Sequence, residues 1–280
     1  MRLRHLMEII RSKRTEISAF WRHSQTPMAL TLDTLRLKSS AFVAISSDGI
    51  KLELTPRAGE SFTFFENLIR RDYLAHGIRL GAGETVVDIG ANIGAFAVLA
   101  ASIVGPTGRV IAFEPVSATF ARLQANVALN GLHNVVACRQ AIEARDGTVA
   151  IRVGAKSAFS TVYGHVEGET TVETVPSVSI ERMFDQHGID RIHLLKMDCE
   201  GGEYGILRSL SNELASRIDQ VAIEVHDVEG ESIEEIATIL VSLGFSVEKQ
   251  FERNWVAFNK RRSRTRTDEA TVSRSSSAPE

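Results

Sequence analysis

The sequence predicts an α/β protein built on a doubly wound, mostly parallel sheet with helices on both faces. Three observations lead there. From Glu84 onward, short apolar runs of strand length alternate with segments of helical period. The first such junction, VVDIGANIG at residues 86–94, places two glycines between a strand and a helix of small residues. The chain has 280 residues, of which 44% are hydrophobic, enough to bury one substantial core.

Residues 1–22 place Leu3, Leu6, Met7, Ile10 and Ile17 at helical spacing, with Arg4, Arg11 and Arg14 opposite. Such an amphipathic helix docks on the domain or a second subunit, or rests on a membrane surface. Glu8 and Glu16 dilute the basic face and favour docking. Residues 23–40 read as a linker. AFVAISSDGIKLEL alternates around Asp48-Gly49, a hairpin signal. SFTFFENLIRRDYLAHGI reads as one helix leading into the core. VVDI and VIAF are strands, and FAVLAASIV and TFARLQANVALN are helices, the second stopped by Gly131. VVACRQA is a third strand, and residues 146–178 are β-rich. SIERMFDQHG is a helix, IHLLKMD a strand, EYGILRSLSNELA a helix, QVAIEVH a strand and SIEEIATILVSLG a helix. FSVEKQ and NWVAFN close the chain as an antiparallel pair. The expected organisation is 1–40, N-terminal helix and linker; 41–80, hairpin and lead-in helix; 81–259, core domain; and 260–280, a disordered tail of almost no apolar content.

A formal net charge of -3 gives no electrostatic case for nucleic acid as a partner. The two cysteines, Cys138 and Cys199, form no CxxC pair, and a cytoplasmic location is the simplest reading. No apolar run reaches the ~18 residues of a membrane-spanning helix. Spacing says nothing about oligomeric state.

In a doubly wound sheet, ligands sit where the carboxyl ends of the strands open into a crevice. Gly90 permits a sharp turn, and Gly94 permits close approach of the loop. Ala91 and Asn92 lie between them, and the N–H groups at the following helix start suit an anionic group. Asp88 suits a ligand with a cationic part. Asn92 stands where a dinucleotide fingerprint has its second glycine, and the G-K-[ST] of a P-loop is absent. The D-x-G-x-x-x-G pattern fits S-adenosylmethionine (SAM), which carries a carboxylate, an ammonium and a sulfonium; a tight packing turn is the alternative. The next strand ends at Glu114-Pro115, where an acidic side chain can accept from both hydroxyls of a ribose. Gln140 and Ala141, near the end of the third strand, lie where an adenine edge can be held.

A second group stands at two later strand ends. In LLKMDCEGGE, Lys196, Asp198 and Glu200 follow at period two and share a side if the strand runs that far. VAIEVHD adds Glu224 and His226. Charges so placed are costly unless paired or used. Three readings stand. The group is a buried ion network, or it orients a hydroxylated acceptor with Asp198, Glu200 and His226 as catalytic residues and His226 as the base, or it holds a divalent metal such as Mg²⁺.

Together, GETVVDIGANIG, GRVIAFEP, LQANVALNGLHNVVACRQAI, LLKMDCEGGEYGIL and VAIEVH resemble the FkbM-type family of SAM-dependent methyltransferases, over roughly residues 60–245. The resemblance implies a Rossmann-like class I methyltransferase fold with a seven-stranded sheet. It also implies O-methylation of a sugar, glycolipid or natural-product hydroxyl. It assigns Asp88, Gly90, Asn92 and Gly94 to the methionine end of SAM, Glu114 to the ribose, and Asp198 and Glu200 to a D-x-E-G-x-E signature. Alternatives are a SAM-fold scaffold without turnover and an N-methyltransferase, although the N/D-P-P-Y/F loop typical of many N-methyltransferases is absent. Phe159, Tyr163 and His165 of the β-rich insert are candidates for the acceptor pocket.

Overall fold

The computed structural model describes residues 2–154, 160–161, 171–249 and 254–260. Phe159, Tyr163 and His165, and all of the expected tail after Lys260, lie outside the described residues.

Helix α1 (Arg2–His23) is followed by α2 (Pro27–Thr34), so the segment read as a linker is partly helical, with Pro27 in its first turn. Strands β1 (Phe42–Ile45) and β2 (Lys51–Leu54) form the predicted hairpin, with Gly49 at φ +88° in its turn. The lead-in segment is not one helix. α3 (Glu60–Phe64) passes into a π-helical turn over 65–70, which ends where Arg71 turns left-handed at φ 56°, before a short 3-10 turn at 72–74. The core then runs β3 (Thr85–Ile89), α4 (Ala95–Val104), β4 (Arg109–Phe113), α5 (Ser117–Leu129) and β5 (Val135–Cys138). The third strand stops at Cys138, earlier than VVACRQA suggests. Ala141 begins β6 (Ala141–Glu143), which pairs with a separate sheet. That sheet also contains β7 (Gly147–Val153), β8 (Ser160–Thr161) and β9 (Thr171–Ser179). The chain returns through α6 (Ile180–Gln186) and β10 (Leu194–Met197), then α7 (Glu203–Ser209) and α8 (Asn212–Ala215). EYGILRSLSNELA therefore forms two helices; the Ser211 hydroxyl accepts from Leu214 N (3.2 Å) and starts the second. β11 (Gln220–Glu224), α9 (Ile233–Ser242), β12 (Phe245–Lys249) and β13 (Asn254–Asn259) complete the fold.

The main sheet has seven strands in the order β12-β13-β11-β10-β3-β4-β5. Every pair is parallel except the two made by β13, which runs against β11 and β12. The chain enters at β3, winds outward to β5, then returns to β10 on the other side. The topological switch point therefore lies between β3 and β10, and the crevice opens there. The pleat sends Val87, Ile111, Leu195 and Val221 into one core, and Val86, Val110, Leu194 and Ala222 into the other.

The N-terminal segment forms a third core with the outer face of α4, around Phe20, Leu30, Leu52, Phe64 and Leu99. α1 docks by Glu16, Ala19 and Phe20, while Met7 and Ile10 of its expected apolar stripe remain exposed. Buried Asn126 of α5 ties the layers together: its amide donates to Ile93 O (2.8 Å) and accepts from Glu53 N (2.7 Å). Arg122 adds an ion pair with buried Glu60. No described helix is long and apolar enough to cross a membrane.

Candidate active site

Two connected spaces open at the switch point. The first is a cleft of ≈ 90 Å³ bounded by the ends of β3, β4 and β5, with Gly90, Asn92, Glu114, Pro115, Gln140 and Ala141 on its walls. The second is a chamber of ≈ 570 Å³ toward the N-terminal segment, with Ala91 on its wall. Gly90, Asn92, Asp198 and Glu200 border both. Together the two spaces fall in the size range of small-molecule sites.

The glycine loop is held by backbone bonds. Gly90 N and Ala91 N both donate to Phe113 O (3.0 and 2.9 Å). Asn92, at φ 51°, donates its N–H to Glu114 Oε2 (2.9 Å), and Val116 N donates to Glu114 Oε1 (2.9 Å). Each carboxylate oxygen keeps a further lone pair for a hydroxyl, so the residues fit a ribose edge. Burial pushes the Glu114 pKa up to about 7 against the pull of those two donors.

Two of the residues predicted to meet the cofactor stand behind the site. Asp88 is fully buried and borders neither space. Its partner is Lys196, in register with it on β10, whose Nζ lies 3.1 Å from Asp88 Oδ1. Gly94 also borders neither space; a Cβ there would meet Leu123 Cδ1 at 2.5 Å, so its role is packing α4 against α5. Lys196 further donates to Gly90 O (2.8 Å) and lies 3.6 Å from Asp198. Burial opposes its charge, but Asp88 and Asp198 more than offset this and raise its pKa. The Lys196→Met variant leaves Asp88 without a counter-charge. It is expected to lose about 3–5 kcal/mol of stability, measurable by denaturant unfolding. Combined with Asp88→Asn, the loss is expected to shrink, because no charge is then stranded.

The polar cluster converges, but not by strand period. β10 ends at Met197, and Glu200 turns left-handed at φ 55°, so the loop places Asp198 and Glu200 rather than the pleat. One ligand atom each from Asp198, Glu200 and His226 lie within 4.8 Å of one another, a spacing that accommodates a metal ion. Beneath them is Glu203, fully buried, which sequence reasoning left without a role. It accepts from Cys199 N (3.0 Å) and Gly201 N (2.9 Å), and its Oε1 lies 3.0 Å from His226 Nδ1. His226 Nε2 lies 3.6 Å from Glu200 and 3.8 Å from Asp198. Burial opposes protonation of His226, yet the bond to Glu203 and the charges of Asp198, Glu203 and Glu200 push its pKa up to about 10. The surrounding carboxylates favour the imidazolium, the form in which His226 has no free lone pair for the base role. Burial pushes Glu200 up to about 7, with His226 pulling it down.

Tyr73, from the 3-10 turn, is a second residue missed. Its hydroxyl lies 2.9 Å from Asp198 Oδ2 and 3.1 Å from Glu224 Oε2. One phenolic proton serves two carboxyl groups, and the arrangement is satisfied when Glu224 is protonated; burial and Asp198 raise its pKa in that direction. The signal for both missed residues was weak in sequence. Glu203 is the last acid of DCEGGE, and Tyr73 is one aromatic among several in a run of helical pattern.

Glu66 sits in the π-helical turn on the chamber wall and makes no side-chain hydrogen bond among the described residues. Burial first, then Glu224, Asp198 and Asp72, push its pKa up to about 8, with Arg70 acting the other way. Between the ordinary carboxyl pKa and 8, the unfolded chain releases a proton that the folded protein holds. Stability from this group is thus present below pH ~4.5 and lost as pH rises through ~8. Glu66→Gln is expected to match the wild type near pH 5 and to gain a few degrees of Tm above pH 8. Thermal unfolding at the two pH values checks this.

A family model for the methyltransferase FkbM domain matches residues 88–247. The chain is 32% identical over 255 residues to the 31-O-demethyl-FK506 methyltransferase FkbM of Streptomyces tacrolimicus, covering 79% of this chain and 91% of that protein. It is 27% identical to the hexuronic acid methyltransferase AglP of Haloferax volcanii, covering 51% of this chain and 56% of that one. Among solved structures, methyltransferase FkbM from Methylobacillus flagellatus aligns with a TM-score of 0.47 at 16% identity, over 73% of this chain and 56% of that chain.

Proposed function

Because the chain belongs to the FkbM methyltransferase family and is a SAM-dependent methyltransferase, we propose that it methylates a hydroxyl oxygen of a sugar, glycolipid or natural product. The observation that carries this reading is the position of Asp198 and Glu200 on the wall between the cleft and the chamber. The activities for which the two relatives are named, on a natural product and on a hexuronic acid, point the same way.

SAM supplies an electrophilic methyl group on its sulfonium, transferred by in-line displacement. The cleft residues Gly90, Asn92, Glu114, Pro115, Gln140 and Ala141 would hold the nucleoside, with Glu114 accepting from the ribose hydroxyls. Asp88 and Gly94 act by fixing the loop. Asp198 accepts the proton of the attacking hydroxyl, since the carboxylates around His226 favour its protonated form. The His226 imidazolium, anchored by Glu203, holds Asp198 and Glu200 in place despite their like charge. Positioning oxygen and methyl in line accounts for much of the rate.

The specific observation favouring a second reading is the compact Asp198, Glu200 and His226 group. Glu203 on Nδ1 would direct Nε2 of a neutral His226 toward a divalent cation, as outer carboxylates do in metal sites. Such an ion would lower the pKa of a coordinated hydroxyl. Methyl transfer from labelled SAM to a panel of hydroxylated and amine acceptors, with Mg²⁺ or with EDTA, tests the whole reading. Methyl ethers as products are expected. Methylated amines would assign N-methylation, no product with any acceptor class would favour a scaffold, and full loss with EDTA would favour the metal.

A further inference from the structure

The chamber that receives the acceptor has two chemically different ends. At one end are the acids Asp198 and Glu224, at strand ends, and Glu66 of the π-helical turn. At the opposite wall, made by α1, the end of α2 and the loop before α3, stand Lys13, Arg36 and Arg57. None of these three cations forms an ion pair with a described carboxylate. Lys13 Nζ donates to Thr34 O (3.2 Å) and Arg57 Nη2 to Arg36 O (3.3 Å), both neutral partners. The acids on the same wall are already engaged. Asp33 accepts from Arg57 N (2.9 Å) and Ser61 Oγ (2.6 Å), and Glu16 accepts from Thr34 Oγ1 (3.1 Å). Arg36 and Arg57 are held on left-handed backbone at φ 60° and 66°. This wall therefore presents three cations without a close ion pair to the chamber, Lys13 also facing the Glu16 carboxylate and Arg36 and Arg57 standing at its rim. Charge-assisted bonds to such groups are among the stronger polar contacts available to a ligand.

We propose that the acceptor is an anion: a hydroxylated molecule bearing a carboxylate or a phosphate. Its acidic group is held by Lys13, Arg36 and Arg57, and its hydroxyl is presented to Asp198 at the other end. This rests on the methyltransferase reading above and adds the substrate class. The repulsion between the acidic end of the chamber and the anion fixes which way round the acceptor sits.

The test uses the full chain loaded with S-adenosylhomocysteine and titrated by calorimetry with glucose, glucuronate and glucose 6-phosphate. Glucuronate or glucose 6-phosphate is expected to bind about tenfold or more tightly than glucose. Whichever anion is tighter distinguishes a carboxylate from a phosphate acceptor. The Lys13→Ala, Arg36→Ala, Arg57→Ala triple variant is expected to lose that preference while keeping its Tm and its affinity for S-adenosylhomocysteine. Should the triple variant fold poorly, Arg36→Glu alone, at an exposed position, is expected to weaken both anions and leave glucose unchanged. Glucose binding as tightly as the anions, a preference that survives the substitutions, or no sugar binding at millimolar concentration would overturn the proposal. Failure of S-adenosylhomocysteine to bind would instead strike the function proposed above.

Discussion

Gly90→Ala is expected to abolish binding of S-adenosylhomocysteine and to destabilise the fold well beyond an ordinary glycine substitution. Gly90 stands at φ +77°, where a Cβ costs about 1–2 kcal/mol. The larger part is steric. An added Cβ would lie 1.7 Å from Asp198 O and 2.7 Å from its carbonyl carbon, both backbone atoms of the neighbouring strand end. No side-chain rotation relieves that overlap, so the β3 and β10 ends must separate. The separation also breaks the Lys196 bond to Gly90 O and shifts Asp198 away from the cleft. Gly131→Ala is the matched control. It too has positive φ, at 62°, but its Cβ would meet nothing within 4 Å. Denaturant unfolding of both variants is expected to show a loss of about 1 kcal/mol for Gly131→Ala and a clearly larger one for Gly90→Ala. Equal losses would mean that the close approach of the two strand ends is unimportant.

Asp198→Asn is expected to lower turnover by about 10²–10⁴ with little change in affinity for S-adenosylhomocysteine. The substitution keeps the side chain's size and its acceptor oxygen, so Tyr73 retains a partner. It removes the negative charge that receives the proton and that, with Glu200 and Glu203, holds His226 protonated. Single-turnover rates separate this effect from binding. An Asp198→Asn enzyme with undiminished rate would pass the base role to Glu200 or to a metal-bound hydroxyl. His226→Asn discriminates further. In a site where the imidazolium only positions its neighbours, the rate falls modestly and without a new pH dependence.

Much of the cofactor side was legible because it is local. A strand, a tight loop and a helix fit within the span from Asp88 to Glu114, and the chemistry of each position follows from its place in that unit. The reading erred where glycine and aspartate were taken as ligand contacts. Packing explains Gly94, and the partner of Asp88 lies more than a hundred residues away, on β10. The acceptor side was hardly legible at all. Tyr73 reaches Asp198 and Glu224 across separations of 125 and 151 residues, and neither period nor motif marks it. The chamber wall comes from α1 to α3 and the π-helical turn, segments read as a docking helix, a linker and one continuous helix. Period two brought Asp198 and Glu200 together for the wrong reason: a left-handed residue after the strand, not the pleat, turns Glu200 back toward His226.

The central claim is that the cleft beside the glycine loop holds the cofactor, with Glu114 on its ribose. Calorimetric titration of the wild type and of Glu114→Ala with S-adenosylhomocysteine tests it most directly. One site per chain in the wild type is expected, weakened at least tenfold in Glu114→Ala while the variant stays folded. A folded wild type that binds no S-adenosylhomocysteine, or a Glu114→Ala protein that binds it as tightly, would contradict the account.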